Sequence, residues 1–534
     1  TKSSPPILFL PAKIFHLTTA SGFRSLISIN LRRAGILLHP TSLPGPFVIS
    51  DLGEHAFRFL DWLMILVALF GSLPSAVYRT CNIIPCLQLE TCIKIGEIGF
   101  NILSSFLAGL MDMQVLPLVP PWRKANEEGS PYSGQDANCG NTLLISLEEL
   151  VEDGLLPHFA VCLANYYLHR EVDSVDFSKV AEVKDPLAAE RLLLSDGELK
   201  AHLEEFRADP DISSEMWEVH GKYPVLEDAA YFDTIDNSVE SFSWYDWPES
   251  LRNCHLAALE EIYQSKKKFI NVFIAEQFLF QRQWQKVRNY AQTKGIKIMD
   301  DMPIYIGYHN AERWANKKKF LLFLRTAAGH AFEWHYVIVT HSSCRIRKDF
   351  PPDAFSEAGQ LWDRIDHFRG FAGFWTVPSE SKTAMFGSWK AGPRRSLFDA
   401  IFRAVGNHNV IAEELDVVQL RRSIGAPGMA VLQFGFGSDA GNPHLPHKHE
   451  YNQVVYMGTH DNDTVQCWWD NLNDEGKSNV LKYLSITEED DISWTLIRAA
   501  FSSVARTAIV PTQDILGLGS SARMNVPSSQ VFST

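Results

Sequence analysis

Eight short apolar runs, most of them separated by stretches with helical periodicity, constrain this chain more than any other feature of its sequence. They lie at 34–39, 114–119, 296–306, 364–368, 409–415, 429–436, 453–457 and 508–516. Apolar runs of strand length, bounded by Gly, Pro and polar turns, read as buried strands, and their alternation with helices reads as repeated βα units. The expected fold class is therefore α/β: a (β/α)8 barrel of the TIM type with inserted helical subdomains. With 534 residues, 46% of them apolar, the chain has ample material for that core.

Helices can be placed between the runs. Leu52, Ala56, Phe59, Leu60 and Leu63 stripe one over 53–63. Ser146 and Glu149 form a capping box, and Gly154 stops the helix they start. Phe280, Trp284, Val287 and Ala291 stripe another, which Gly295 ends. Residues 157–270 are polar, charged and mostly helical, and read as a subdomain inserted between strands of a catalytic domain over 31–534. Two segments fit no such logic. Residues 64–112 lack a clean period and carry three of the eight cysteines, and 320–350 mix apolar and basic residues. The apolar stretch at 64–70 is broken by Gly71 and Pro74, well short of the ~20 residues of a membrane span.

Composition narrows the partners. The 49 basic and 63 acidic residues give a formal net charge of −14, which argues against nucleic acid and favours neutral substrates. Aromatics make up 12% of the chain, including 14 Trp, a supply of flat apolar faces of the kind that stack on sugar rings. The cysteines at 81, 86, 92, 139, 162, 254, 344 and 467 have no zinc spacing and read as thiols of a reducing compartment. No acidic residue precedes Asp51, whereas Lys2, Lys13, Arg24, Arg32 and Arg33 are basic, so 1–30 reads as a transit-peptide-like or disordered arm. There is no GxGxxG after a strand, no GxxxxGK[ST] and no HExxH. The His-rich HLPHKHE at 444–450 lies in a Gly/Pro/Asn loop and reads as solvated rather than metal-binding.

Loops at the carboxyl ends of barrel strands form the active face of such a fold. Three acids stand there: Asp366 in RIDHFRGF, Glu413 in NVIAEEL and Asp461 in VVYMGTHDNDT. Any one of them alone reads as a strand-end ion pair; three on successive units point to chemistry. Arg364 and Arg369 bracket Asp366 and are expected to keep it ionised as a nucleophile. Glu413, following Val-Ile-Ala, is expected in apolar surroundings that raise its pKa, as a general acid requires. Two carboxyls about 5 to 5.5 Å apart give a retaining mechanism through a covalent glycosyl-enzyme. Asp461, with His460, would hold ring hydroxyls; His460 reads equally well as a core histidine.

The segments HPTSLPGP (39–46), QVLPLVPP (114–121), SPYSGQDANCGN (130–141), DMPIYIGY (301–308), PPDAFSEAGQLW (351–362), RIDHFRGF (364–371), IAEE (411–414), APGMAVLQFGFG (426–437) and GTHDNDT (458–464) together resemble the amylomaltases, glycoside hydrolase family 77. Within that family they are most similar to the plastid disproportionating enzymes of plants. The resemblance implies a (β/α)8 enzyme that moves α-1,4-glucan segments between malto-oligosaccharides, needs neither metal nor organic cofactor, and handles starch in plastids. It places Asp366 as nucleophile, Glu413 as acid/base and Asp461 as transition-state stabiliser. It also places Tyr132, Asp301, Trp314, Arg364, His460 and Asn462 on the sugar subsites.

Against the family pattern, 64–112 looks inserted and 320–350 stands in place of a short turn. Trp362 runs almost directly into RIDHFRGF, which omits a barrel helix and an aromatic acceptor-side loop. Asp416 follows AEEL where a Gly belongs, and Asp300 stands where a Gly is expected. Clean insertions and deletions inside a matching frame read as mis-joined exons, and a closed barrel is expected to suffer from a missing crossover. Two alternatives accompany the main reading: an α-amylase-type glucan hydrolase, and a glucan-binding protein impaired in catalysis.

Overall fold

The computed structural model describes residues 33–42, 51–71, 111–120, 132, 134–136, 139–156, 180–181, 184, 225–239, 243–302, 304–306, 309–317, 324–326, 336–337, 362–378, 385–405, 409–413 and 417–525. Eight parallel strands form a closed barrel: β1 (Arg33–Leu37), β2 (Met111–Val115), β3 (Lys297–Met302), β4 (Trp362–Ile365), β5 (Asn409–Ala412), β6 (Gly428–Val431), β7 (Gln453–Tyr456) and β8 (Thr507–Pro511). Each strand pairs with its neighbours in sequence, and β8 closes onto β1 with Arg33 opposite Thr507 and Leu37 opposite Pro511.

Alternation along each strand sorts the side chains into two layers. Leu37, Met299, Ile411, Met429, Val431, Val454, Tyr456 and Ile509 form one buried cluster that fills the barrel. Their neighbours Ile36, Met113, Val455 and Val510 belong to the larger core shared with the helices. Polar pairs complete the interior: a buried Arg33–Asp112 ion pair at the amino-terminal end, and Tyr456 Oη donating to Gln114 Oε1 at 2.6 Å above it. Gly35 faces β2 so closely that a Cβ there would lie 3.0 Å from the Asp112 carbonyl oxygen.

The run at 114–119 was expected to be the second strand, whereas β2 starts earlier, at Met111. Asp112 and Gln114 point into the barrel, where Arg33 pairs with the one and Tyr456 donates to the other, so a count of apolar residues underrates this strand. The last run stops at Pro511, and Thr512–Ile515 turn into a short helix. Residues 320–350, expected to carry no strand logic, include the strand Leu324–Thr326, which pairs antiparallel with Gly373–Pro378. Between β3 and β4 the described residues hold only the helix Ala311–Ala315 and three short strands. The barrel nevertheless closes at that point: β4 pairs with β3 on one side and β5 on the other.

The helices follow their stripes. α1 (Glu54–Gly71) buries Leu60 and Leu63 and continues through 64–71; the rest of 64–112 up to residue 110 lies outside the described residues, as does 1–30. Among the described residues no helix is long and apolar enough to cross a membrane. α2 (Val225–Asp236) and the first part of α3 (Leu256–Thr293) supply helices within 157–270. The Ser146 hydroxyl accepts the Glu149 N–H at 3.4 Å, but Glu149 turns its carboxylate to Lys286 of α3 instead of closing the box. Gly154 and Gly295 stop their helices in the left-handed region, at φ 75° and 72°.

α3 also positions the loop after β2. Two of its buried glutamines act as surrogate strand partners. Gln277 accepts the Gly140 N–H at 2.7 Å and donates to its carbonyl at 3.0 Å, and Gln283 does the same for Ser146 at 2.7 and 3.1 Å. Each replaces backbone hydrogen bonds that a buried loop would otherwise lack.

Candidate active site

The three acids and Arg364 are delivered to the carboxyl end of the barrel by strand termini and the loops beyond them. Register places Arg364 of β4 opposite Asp301 of β3 and Ile411 of β5. Asp366 follows β4 by one residue and Glu413 follows β5 by one; their amides extend the ladder to Met302 O at 3.0 Å and Ile365 O at 3.4 Å. Asp461 comes from the loop after β7.

Asp366, Glu413 and Asp461 converge: each offers an oxygen within 4.8 Å of the others. That is well inside the roughly 6.5–9.5 Å at which an inverting glycosidase leaves room for a water. Arg364, 0% exposed, lies beneath all of them. Its Nη1 binds both oxygens of Asp301 and approaches Asp366 Oδ1 at 3.3 Å, while Nη2 stands 2.5 Å from Glu413 Oε1. A planar guanidinium can serve several carboxylates at once, and here it offsets a concentration of buried negative charge that would otherwise be prohibitive.

The charge distribution corrects one expectation. Arg364 was expected to keep Asp366 ionised and apolar surroundings to raise Glu413. Burial and then the charge of Glu413 instead hold Asp366 well above the usual carboxylate range, against the pull of Arg364. Burial also works to raise Glu413, but Arg364, a hydrogen bond from Asp366 and the His367 N–H together bring it down. Of the two groups, Asp366 is therefore the one that holds a proton more readily. To present its N–H to Glu413, His367 takes a left-handed conformation, φ 45° and ψ 46°, a strain of the kind that collects at functional sites.

His460 is 2% exposed and lies between two acids, its Nδ1 3.6 Å from Asp301 and its Nε2 3.2 Å from Asp461. Tyr132 stacks on its ring at 5.1 Å and 12°, and donates its hydroxyl to Asp301 Oδ2 at 2.9 Å. Burial opposes ionisation of Asp461, yet His460, Arg364 and the Asn525 amide hold it down to about 2. Asn462 lies in the same loop, where its Oδ1 accepts the Thr459 N–H and hydroxyl, both at 2.9 Å.

Trp314 was expected on a sugar subsite, and the structure does not bring it there. It is 1% exposed, packed against Phe232 and Trp247 at 5.9 and 5.8 Å, with its indole N–H on the Leu251 carbonyl at 2.9 Å. So enclosed, the ring belongs to the buried cluster that it shares with Phe232 and Trp247. Of the histidines of 444–450, expected to be solvated, His447 is exposed, whereas His444 is half-buried and His449 buried. His444 accepts the Val431 N–H, His447 pairs with Tyr483 and the Ala440 carbonyl, and His449 with Ser503 and the His444 carbonyl.

Two site residues escaped the sequence reading. Asn525 Nδ2 donates to Asp461 Oδ1 at 2.7 Å, and Arg523 Nη2 to the Asp461 carbonyl at 2.9 Å. Their only signal was an isolated polar RMN after the last strand.

Comparison with known proteins extends this picture. The 4-alpha-glucanotransferase model of glycoside hydrolase family 77 matches residues 90–363 and 364–532, and the two pieces meet next to the departure noted after Trp362. A chloroplastic/amyloplastic 4-alpha-glucanotransferase of Solanum tuberosum is 55% identical over 93% of this chain and 81% of its own length. Its counterpart in Arabidopsis thaliana is 51% identical, over 94% and 80%. The amylomaltase of Streptococcus agalactiae, solved in complex with acarbose, superposes with a TM-score of 0.72 at 25% identity, over 93% of each chain. An amylomaltase from Corynebacterium glutamicum shares the fold, with a TM-score of 0.60 at 13% identity over 96% of this chain and 71% of its own.

Proposed function

The chain belongs to the 4-alpha-glucanotransferases of glycoside hydrolase family 77, and from that premise we propose that it disproportionates malto-oligosaccharides in plastids by a retaining double displacement. The observation that carries the mechanism is the convergence of Asp366, Glu413 and Asp461 over the Arg364 guanidinium.

The donor glucan binds with its scissile bond between Asp366 and Glu413. The proton that these groups share must be on Glu413 when reaction begins, and their direct hydrogen bond supplies the path from Asp366. Asp366, now ionised beside Arg364, attacks the anomeric carbon. Glu413 protonates the leaving glycosidic oxygen, the C–O bond breaks, and a covalent glucosyl–Asp366 ester forms. The leaving glucan departs, and the 4-hydroxyl of an acceptor glucan takes its place. Glu413 removes that hydroxyl proton as the oxygen attacks, the ester breaks, and Asp366 and Glu413 regain their starting states. Asp461, anionic because His460, Arg364 and Asn525 hold it so, stabilises the positive charge that develops on the ring. Asp301 and Tyr132, fixed by Arg364 and His460, offer polar atoms to the hydroxyls of the same sugar.

Incubation with maltotriose tests the reading. Transfer yields glucose and longer oligomers at a constant number of reducing ends. A rise in reducing ends would mean hydrolysis, and binding without turnover would mean a disabled glucan binder.

A further inference from the structure

Asp514 is buried, 2% exposed, in the short helix after β8, and it touches none of the reacting groups. Its Oδ1 accepts the Val465 N–H at 2.8 Å, the first backbone donor of α4 (Val465–Asn471), one of the amides that a helix start leaves without an internal partner. α4 begins where the loop of residues 459–464 ends, and that loop carries both His460 and Asp461. Other groups hold the same loop. Gln433 Nε2 reaches the Asp463 carbonyl at 2.9 Å, Ser520 Oγ reaches the Asp463 carboxylate at 2.8 and 2.9 Å, and Arg523 and Asn525 bind Asp461. The Ser520, Arg523 and Asn525 bonds are open to solvent, where water competes and each is worth little. The Asp514 bond is fully enclosed, so it fixes where the loop ends.

We propose that Asp514 is a positioning residue of the transfer reaction: by holding Val465 it sets the 459–464 loop so that Asp461 and His460 face the Asp366–Glu413 pair. This rests on the glucan-transfer reading above. At its β7 end the loop leaves Gly458, which lies so close to Gln433 that a Cβ would stand 2.8 Å from Nε2. With the far end pinned as well, the Asp461 carboxylate has one place to be. Displacement of a stabilising group by about 1 Å costs on the order of 100-fold in rate.

The test is steady-state maltotriose kinetics on the full chain, with thermal melts alongside. Asp514→Ala is expected to lower kcat about 10- to 100-fold while KM stays within about three-fold, because the loop shifts and the sugar subsites formed by other strands do not. Asp514→Asn retains an oxygen acceptor and is expected to stay within about five-fold of wild type. Val465→Pro removes the donor at a helix position that tolerates proline, and should match Asp514→Ala with no further loss in the double variant. An inactive wild-type chain would sink the function and this inference together. An active wild type with unchanged kcat in folded Asp514→Ala sinks this inference alone. So does a folded Asp514→Asn as impaired as Ala, or a failure of both Asp514→Ala and Val465→Pro to fold, which would assign the contact to stability only.

Discussion

Arg364 is committed more closely to Glu413 on the neighbouring strand, at 2.5 Å, than to Asp366 on its own, at 3.3 Å. The guanidinium is wholly buried and also binds Asp301, so removing it strands three carboxylates among apolar strand ends. Arg364→Ala should lower unfolding free energy by about 3–5 kcal/mol, the cost of leaving buried charge uncompensated. Arg364→Lys keeps a charge but offers no fork, and should fold while losing at least about 100-fold in kcat. Urea denaturation and maltotriose turnover measure the two effects. Equal stability of Arg364→Ala and wild type would rule out the buried-charge argument.

The proton shared by Asp366 and Glu413 makes a second prediction. The pH dependence of kcat/KM reports groups of the free enzyme. With a substrate that needs no general acid, Asp366, pushed up by burial and by the charge of Glu413, has only to lose its proton to attack, so the acid limb should fall well above the usual carboxylate range. Glu413→Gln removes the charge that raises Asp366 and should move that limb to lower pH. α-Maltosyl fluoride makes the comparison possible, since fluoride leaves without a general acid. Limbs near pH 4 in both proteins would show that Asp366 is not perturbed.

The barrel was legible in the sequence because its strands are short apolar runs, and the three acids were legible because each ends such a run. Strand β2 was misplaced because its inward Asp112 interrupts the apolar pattern, and the partner of Asp112, Arg33, is remote in sequence. The protonation order of Asp366 and Glu413 was hidden for a similar reason. Spacing within one strand shows Arg364 two residues from Asp366, but only the sheet register brings Arg364 against Glu413. Asn525 sits in a segment with no periodicity at all, and its role exists only through contact with Asp461.

Tyr132 and Trp314 were both expected on sugar subsites, and the structure separates them. Tyr132→Phe loses the hydrogen bond to Asp301 beside the reacting sugar and should lower kcat/KM by about 5- to 30-fold with little change in stability. Trp314→Phe loses ring volume and the Leu251 hydrogen bond inside its buried cluster, and should cost about 2 kcal/mol of stability while leaving KM near wild type. Chemical denaturation combined with kinetics distinguishes them. A raised KM in a folded Trp314→Phe would return that residue to the substrate site.

Asp514 offers a stability prediction separate from its effect on rate. Burial, with the nearby charge of Asp463, pushes its carboxyl up to about 7 despite the Val465 N–H. A carboxyl raised on folding contributes stability that is complete below its unfolded pKa and lost as pH rises through its folded one. The wild-type chain should therefore lose stability from this group between about pH 4 and pH 7, by about 1.4 kcal/mol per pH unit and roughly 4 kcal/mol at the most. Asp514→Asn does not titrate, so its melting temperature relative to wild type should climb across that window and level off above pH 7. Together with the kinetic test this describes a trade: a buried oxygen acceptor holds the Asp461 loop in register, and it costs the fold stability once the carboxyl ionises. A melting difference that stays constant from pH 4 to pH 8 would show that Asp514 ionises as an ordinary carboxyl, and the cost assigned to it would disappear.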